Sequence, residues 1–153
     1  MPLSYAEGAA VFGDLSLDEV LLRGAYPAVH STDVSCTDWH ASYVASYLER
    51  DVRQVIRIGD LLQFQRFMRM TAARCGQLLN LNAVANDLEV AQTTARDWLT
   101  VLEVTYGVFR LPPFHTNFGK RPVKTPKLCF DVTGLAAWLL GITDARTMNA
   151  EAS

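Results

Sequence analysis

Residues 82–103 read NAVANDLEVAQTTARDWLTVLE and space their apolar side chains as a helix-turn-helix does. With Ala85 as the small residue where two helices cross, the inward positions are Val84, Leu88, Val90, Ala95 and Trp98. The outward positions, which would form the recognition surface, are Gln92, Thr93, Arg96, Asp97 and Thr100. The tight turn between such helices usually needs Gly for its positive φ, and Glu89 stands there instead. Glu89 therefore argues against an orthodox helix-turn-helix, although a non-glycine residue in the left-handed region is uncommon but tolerated.

The segments on either side extend this motif to a winged-helix core. Residues 61–75 predict a preceding helix, capped by Asp60, with Cys75 on its apolar face and Gly76 at its end. The β-branched and aromatic run 107–111 and residues 127–132 predict the two strands of a wing, with its tip at residues 117–120. Residues 134–140 predict a closing apolar helix.

Upstream of this core, the sequence predicts a helical arm. The amphipathic residues 15–22 end at Gly24, and a capping box at residues 35–38 begins a long helix that runs to about Gly59. The predicted fold is therefore mainly α. It consists of an N-terminal helical arm (residues 1–59), a winged-helix domain with a two-stranded wing (residues 60–142) and a flexible tail (residues 143–153).

Length and composition limit the class of protein. The chain has 153 residues of which 50% are apolar, enough for a packed core without disulfides or metals. Its three cysteines are far apart and in no zinc-binding spacing, so we expect buried, reduced thiols. We find no leader sequence, and the longest apolar run, residues 134–142, is too short to span a bilayer. We therefore expect a soluble, cytoplasmic protein without a membrane partner.

The sequence contains no motif for catalysis. Gly119-Lys120 is the only Gly-Lys pair, and it lacks the upstream Gly and the following Ser or Thr of a phosphate-binding loop. There is no GxSxG, HExxH or pair of clustered carboxylates, and the histidines His30, His40 and His115 lie in different segments. We therefore expect no catalytic residue, metal site, cofactor or small-molecule substrate.

Charged residues are segregated along the chain, although its net charge is only −2. Residues 1–49 contain seven acidic side chains and one basic one, whereas residues 110–130 contain five cations and no acid. The candidate contacts to nucleic acid are Gln92, Thr93, Arg96, Lys120, Arg121, Lys124 and Lys127. Asp97 and Glu103 place negative charge beside the same surface, so a winged helix that contacts protein is the alternative.

Three residues are candidate contacts to a protein partner: Arg50, Leu135 and Trp138. Arg50 lies in an acid-base-acid triplet within an apolar helix and could meet an anionic group. The local alternative is an exposed ion pair between Glu49 and Arg53. Leu135 and Trp138 belong to an apolar set that spreads around more than half of the last helix, so part of it should face a partner or a second copy.

Several motifs, taken in order, resemble an uncharacterised domain that lies C-terminal to the AAA-type ATP-binding core in a family of bacterial and archaeal ATPases. The resemblance runs from about residue 20 to residue 142. The segments that carry it are Arg23-Gly24-Ala25-Tyr26-Pro27, Leu48-Glu49-Arg50-Asp51-Val52, Gly76-Gln77-Leu78-Leu79-Asn80, Trp98-Leu99-Thr100-Val101-Leu102-Glu103, Leu111-Pro112-Pro113-Phe114, Lys120-Arg121, Lys124-Thr125-Pro126-Lys127-Leu128 and Thr133-Gly134-Leu135.

The resemblance implies an ATPase core before this region and a restriction-endonuclease-like segment after it, and the chain contains neither. It also departs from the family at Glu89, where a turn Gly is usual, at Val132, where Asp is usual, and at Cys129, where Tyr is usual. We therefore expect a non-catalytic accessory module of an AAA-type ATPase system that acts through protein contacts. The alternatives are a DNA-binding winged-helix regulator and a truncated remnant without independent activity.

Overall fold

The protein is mainly helical, as its sequence predicts. The structure, a computed structural model, describes residues 2–54, 61–105, 107–114, 125–144 and 146–147, apart from the side chains of Tyr5 and Glu49. This part of the chain contains eight α-helices and one small antiparallel sheet. None of these helices is long and apolar enough to cross a membrane.

Four helices form the N-terminal region, and side-chain caps begin three of them. Ser4 and Ser16 each form a capping box with the Glu three residues later, and Ser35 accepts a hydrogen bond from the Asp38 backbone N–H at 3.1 Å. The helices are α1 (Tyr5–Phe12), α2 (Leu17–Arg23), α3 (Pro27–Ser31) and α4 (Cys36–Tyr47). A π-helical turn, Leu48–Val52, continues α4. Residues 55–60, which include the predicted cap Asp60, lie outside the described residues.

The central helices are α5 (Leu61–Ala73), α6 (Leu81–Asp87) and α7 (Gln92–Val104). Glu89, in the turn between α6 and α7, has a φ of +55°, so a non-glycine residue adopts the left-handed conformation at this turn. Two backbone hydrogen bonds hold this turn, from Glu89 N–H to Asn86 at 3.1 Å and from Val90 N–H to Ala85 at 3.0 Å. The turn therefore reverses the chain without the glycine that usually occupies this position.

The strands β1 (Val108–Leu111) and β2 (Lys127–Phe130) pair antiparallel, with Val108 opposite Phe130 and Leu111 opposite Lys127. Residues 76–79 pair with the other edge of β2, where Leu78 forms an antiparallel bridge with Lys127. The Gly76 N–H donates to the Leu128 carbonyl at 2.7 Å, and the Leu128 N–H donates to Gln77 at 3.1 Å. The sequence pattern did not predict this third extended segment.

The core lies where α5, α7 and the last helix, α8 (Thr133–Leu139), meet. Trp98 is 3% exposed and contacts the rings of Phe64 and Phe67 edge-on, with ring centroids 5.9 and 5.6 Å apart. The predicted inward positions of the helix-turn-helix all pack in or against this core, which confirms their register. Val44, Tyr47, Leu48 and Val52 belong to the same cluster, so α4 and its π turn help to build it.

The start of α8 packs closely on the end of α2. A Cβ on Gly134 would lie 2.7 Å from the Arg23 carbonyl carbon and oxygen, and the Thr133 hydroxyl donates to the Leu21 carbonyl at 2.9 Å. Gly24, with a φ of +74°, approaches the same point, where a Cβ would meet the Val132 side chain at 2.5 Å. Two glycines therefore allow the two backbones to approach each other.

The predicted placement of the cysteines is wrong. Cys75 lies beyond the C-terminal end of α5 and is exposed, because α5 ends at Ala73 and residues 74–76 form a turn. Cys36 and Cys129 are half-buried rather than buried, at the first position of α4 and on β2. All three are free thiols, as predicted. Among the described residues, no group of His, Cys, Asp and Glu side chains could hold a metal ion.

Candidate functional site

The first candidate surface is the outward face of α7, formed by Gln92, Thr93, Arg96, Asp97 and Thr100. All five side chains are exposed, as their register predicts, because Ala95, Trp98 and Leu99 turn the opposite face of the helix into the core. The Thr100 hydroxyl donates to the Arg96 carbonyl at 3.0 Å and is therefore partly occupied. Arg96 and Asp97 place one positive and one negative charge on this surface.

An ion pair connects the end of α7 to the sheet. The Arg110 guanidinium on β1 donates to both carboxylate oxygens of Glu103, through Nε at 2.5 Å and Nη2 at 2.6 Å. This hydrogen bonding raises the pKa of Arg110, so the guanidinium stays positively charged and the Glu103 carboxylate balances that charge. Arg110 and Glu103 therefore form an ion pair that joins β1 to the end of α7.

The predicted wing cations are only partly described. Lys120, Arg121 and Lys124 lie outside the described residues. Lys127 is exposed at the start of β2, opposite Leu111 on β1 and Leu78 on the third segment. Of the predicted nucleic-acid contacts, the structure therefore describes the three on α7 and Lys127.

Exposed apolar side chains surround Lys127, and the sequence pattern did not predict this surface. We call it the hairpin-end patch, which encloses a groove of about 490 Å³. Phe114 is 89% exposed, and Leu78 and Leu111 are about half exposed. The segment Leu111-Pro112-Pro113-Phe114 was the available signal, because prolines end the strand and leave the following aromatic residue without strand partners. The patch consists of Leu78, Leu111, Pro112, Pro113, Phe114, Thr125 and Lys127.

The predicted partner contacts lie at different depths. Arg50 is exposed on the π turn, and its Nε donates to Asp51 at 3.1 Å, which raises the pKa of the guanidinium. Leu135 is 3% exposed and lies in the core, so it cannot contact a partner in the folded monomer. Trp138 is half-buried beside a cavity of about 100 Å³ between α4, α5 and α8. On this helix, Leu140 rather than Leu135 remains exposed.

These surfaces belong to a chain whose relatives are longer. A family model described as "Domain of unknown function (DUF8612)" matches residues 14–146. The chain belongs to this family.

Two similar proteins are the uncharacterized protein Rv2008c of Mycobacterium tuberculosis and the uncharacterized protein Mb2031c of Mycobacterium bovis. Each is 38% identical to the chain over 136 residues. The alignment covers 86% of this chain and 30% of each relative, so this DUF8612 chain spans less than a third of their length. No solved structure matches it.

Proposed function

We propose that this DUF8612 chain is a non-catalytic accessory module of an AAA-type ATPase system, built on a winged helix, and that it acts through protein contacts. The hairpin-end patch is the surface that we assign to the partner. The single observation that carries this assignment is the exposed apolar row Leu78, Leu111 and Phe114 beside a groove of about 490 Å³.

The order of the elements supports a winged helix. The helices α5, α6 and α7 are followed by the hairpin β1–β2, and residues 76–79 between α5 and α6 pair with β2. Such an arrangement places a short strand before the helix-turn-helix and a two-stranded wing after it. The left-handed turn at Glu89 and the exposed outward face of α7 agree with the same interpretation.

Charge and exposure favour protein as the partner. Apolar patches of this kind on a soluble domain usually mark an interface. Exposure of aromatic and aliphatic side chains to water is unfavourable in free energy, and a bound partner removes that exposure. Asp97 lies next to Arg96 on α7, and the Glu103 carboxylate is ion-paired with Arg110. Winged helices that read DNA need several free cations to meet the phosphates, so the described surface suits a neutral partner better.

Two observations support an ATPase as the partner. The sequence motifs resemble the domain that follows an AAA-type core, and the mycobacterial relatives have most of their length outside the matched region. A module that is joined to a larger protein contacts it through apolar and polar side chains that the isolated module leaves exposed. The hairpin-end patch has this character.

The proposal is tested with the Mycobacterium tuberculosis relative. The parts of that protein outside the match would be expressed separately, assayed for ATP hydrolysis, and titrated with this chain by calorimetry. The relative's own matched region is the positive control. We expect saturable binding that Leu111→Ser combined with Phe114→Ser weakens by about tenfold or more, since a buried aromatic anchor dominates such contacts. Arg96→Ala is the matched control and should bind normally.

Two results would overturn this assignment. If neither part binds the chain while the positive control does bind, the contact proposal is wrong. If Arg96→Ala abolishes binding while the double variant of the patch binds fully, the contact surface is the outward face of α7 instead.

A second function, DNA binding, has one observation in its favour. No side chain caps the first turn of α7, so no capping oxygen accepts hydrogen bonds from its backbone N–H groups. A DNA phosphate could accept them instead, and Gln92 and Thr93 lie in the same turn. Fluorescence anisotropy with duplex DNA at low salt tests this alternative. Binding that falls steeply with salt and requires Arg96 would support it, and absence of binding at low salt would exclude it.

A further inference from the structure

A second groove, which we call the aromatic groove, lies between α3, α4 and the end of α7. It has a volume of about 450 Å³ and is open to solvent. No residue of the hairpin-end patch or of the outward face of α7 contributes to it. Its lining consists of Pro2, Tyr26, Pro27, Ala28, Trp39, Tyr43 and Thr105.

The groove contains a ladder of parallel aromatic rings. Trp39, Tyr43 and Tyr47 recur every four residues on α4 and therefore share one face of the helix. The rings of Trp39 and Tyr43 lie 5.3 Å apart with an angle of 9° between their planes, and those of Tyr43 and Tyr47 lie 6.4 Å apart at 5°. Tyr26 lies across the ladder, 5.0 Å from Tyr43 and 5.4 Å from Trp39.

Contacts at its buried end hold the ladder rigid. Tyr47 is buried, and its hydroxyl lies 2.8 Å from the Thr105 hydroxyl at the end of α7. Thr105 donates its only proton to the Val101 carbonyl at 2.7 Å, so the proton of this Tyr47 bond must come from the phenol. The aromatic rings nearer the opening, Trp39 and Tyr43, are half-buried and therefore keep part of their surface exposed.

Two hydrogen-bond donors of the groove have no acceptor among the residues that the structure describes. The hydroxyls of Tyr26 and Tyr43 lie 2.9 Å apart, and one donates to the other, so one phenolic proton remains unused among the described residues. The indole N–H of Trp39 also donates to no described group. The Tyr26 phenol is protonated at neutral pH, and burial raises its pKa further above its ordinary value. The described lining contains no charged side chain.

We propose that the aromatic groove binds an extended, proline-rich peptide segment with basic flanking residues. Such a peptide in the polyproline II conformation presents pyrrolidine rings, which pack on aromatic faces, and unpaired backbone carbonyls, which accept hydrogen bonds from Tyr and Trp. Prolines have no backbone N–H and therefore need no acceptor from the groove. The aromatic faces of the groove therefore match the pyrrolidine rings of the peptide, and its Tyr and Trp donors match the peptide carbonyls.

The negative charge of the N-terminal region favours basic residues beside the prolines of the peptide, and it disfavours nucleic acid as the ligand. The first 47 residues, which build α1 to α4, contain six acidic side chains and one basic one. The carboxylate of Asp131 acts electrostatically on Tyr26, which lines the groove, and contributes to raising the pKa of that phenol. A polyphosphate backbone would meet repulsion here, whereas Lys or Arg beside the prolines would be attracted.

The test uses the peptide Lys-Pro-Pro-Lys-Pro-Pro-Lys-amide, labelled with fluorescein at its N-terminus in place of an acetyl group, and the whole chain, with binding followed by anisotropy. Two control peptides separate the features: one replaces every Pro by Ala and keeps the charge, and the other replaces every Lys by Glu and keeps the prolines. We expect saturable binding of the first peptide, and each control should bind about tenfold more weakly or not at all.

Variants of the chain localise the site. Trp39→Ala should weaken binding by about tenfold, and Tyr43→Phe, which keeps the ring and removes the hydroxyl, by about threefold to tenfold. Trp138→Ala removes another half-buried Trp outside the groove and should bind normally. Circular dichroism and thermal unfolding check that each variant is folded. If Trp39→Ala does not fold, Tyr43→Phe alone tests the site.

Three outcomes would overturn the proposal. Equal binding of the Pro and Ala peptides would mean that charge alone attracts them. Unchanged binding by folded Trp39→Ala and Tyr43→Phe would place the peptide elsewhere. Labelled single-stranded oligothymidylate that binds in a Trp39-dependent manner, with no binding of the peptide, would make the groove a base-stacking site. None of these outcomes depends on an ATPase, so they leave the proposed function untouched.

Discussion

Replacement of Trp98 by Ala should be among the most destabilising single substitutions in this protein. The Trp98 side chain is 3% exposed, and its ring meets Phe64 and Phe67 edge-on. Burial of a Trp removes about 150 to 250 Å² from water, which at about 25 cal/mol per Å² stabilises the fold by about 4 to 6 kcal/mol before cavity terms. Measured substitutions of this kind cost about 3 to 5 kcal/mol.

The upper part of that range is expected here. Phe64 and Phe67 are themselves 0% exposed and held by neighbours, so they cannot easily close the cavity that Ala leaves. We therefore expect a loss of about 4 to 5 kcal/mol in the free energy of unfolding, which for a urea slope of about 2 kcal/mol per M lowers the midpoint by about 2 M.

Equilibrium unfolding in urea, followed by circular dichroism, measures this loss. The matched control is Arg96→Ala, an exposed substitution two residues earlier on the same helix, which should change the stability by less than about 0.5 kcal/mol. If Trp98→Ala does not fold, Trp98→Phe, which keeps one aromatic ring, should still lose about 1 to 2 kcal/mol. A Trp98→Ala protein within 1 kcal/mol of the parent, on the order of the control, would refute the packing argument.

Three further predictions concern the contacts that join the elements. Burial lowers the pKa of His40 below its ordinary 6.5, so the unfolded state binds the proton first as pH falls. The contribution of His40 to the free energy of unfolding should therefore be fully present above about pH 6.5 and be lost as the pH falls below it. Urea titrations at several pH values should show that His40→Gln flattens this decline. An identical decline in the variant would contradict the role of His40. Gly134→Ala should cost about 1 to 3 kcal/mol, because its Cβ would meet the Arg23 backbone at 2.7 Å, and an unchanged thermal midpoint would show that α2 and α8 separate freely. The Glu103 and Arg110 pair is partly exposed, so a double-mutant cycle with Gln at both positions should give a coupling of about 0.5 to 1 kcal/mol, and zero coupling would make the contact incidental.

Local signals in the sequence predicted much of the helical architecture. Ser35 begins α4 as predicted because its hydroxyl accepts the backbone N–H three residues later, an interaction that needs no distant partner. The four-residue step from Val84 to Leu88 and the three-residue step from Ala95 to Trp98 predicted which face of each motif helix is buried, because helical geometry converts sequence spacing into direction. Glu89 departs from the usual turn glycine and argued against the motif, yet the structure places it at a positive φ in this turn.

Contacts between distant segments were decided only by the tertiary structure. Residues 76–79 are too short to show strand alternation, and their pairing with β2 depends on a segment about 50 residues later. Leu135 and Leu140 are both apolar, and only the packing of α8 on α2 and α5 buries the first and leaves the second exposed. The spacing of Trp39, Tyr43 and Tyr47 could be read as a core stripe, and Tyr26 and Thr105 had to arrive from elsewhere in the chain to form the aromatic groove. The sequence therefore determined the helices and their buried faces through local hydrogen bonding and periodicity, whereas surfaces assembled from distant residues depended on packing that no local pattern encodes.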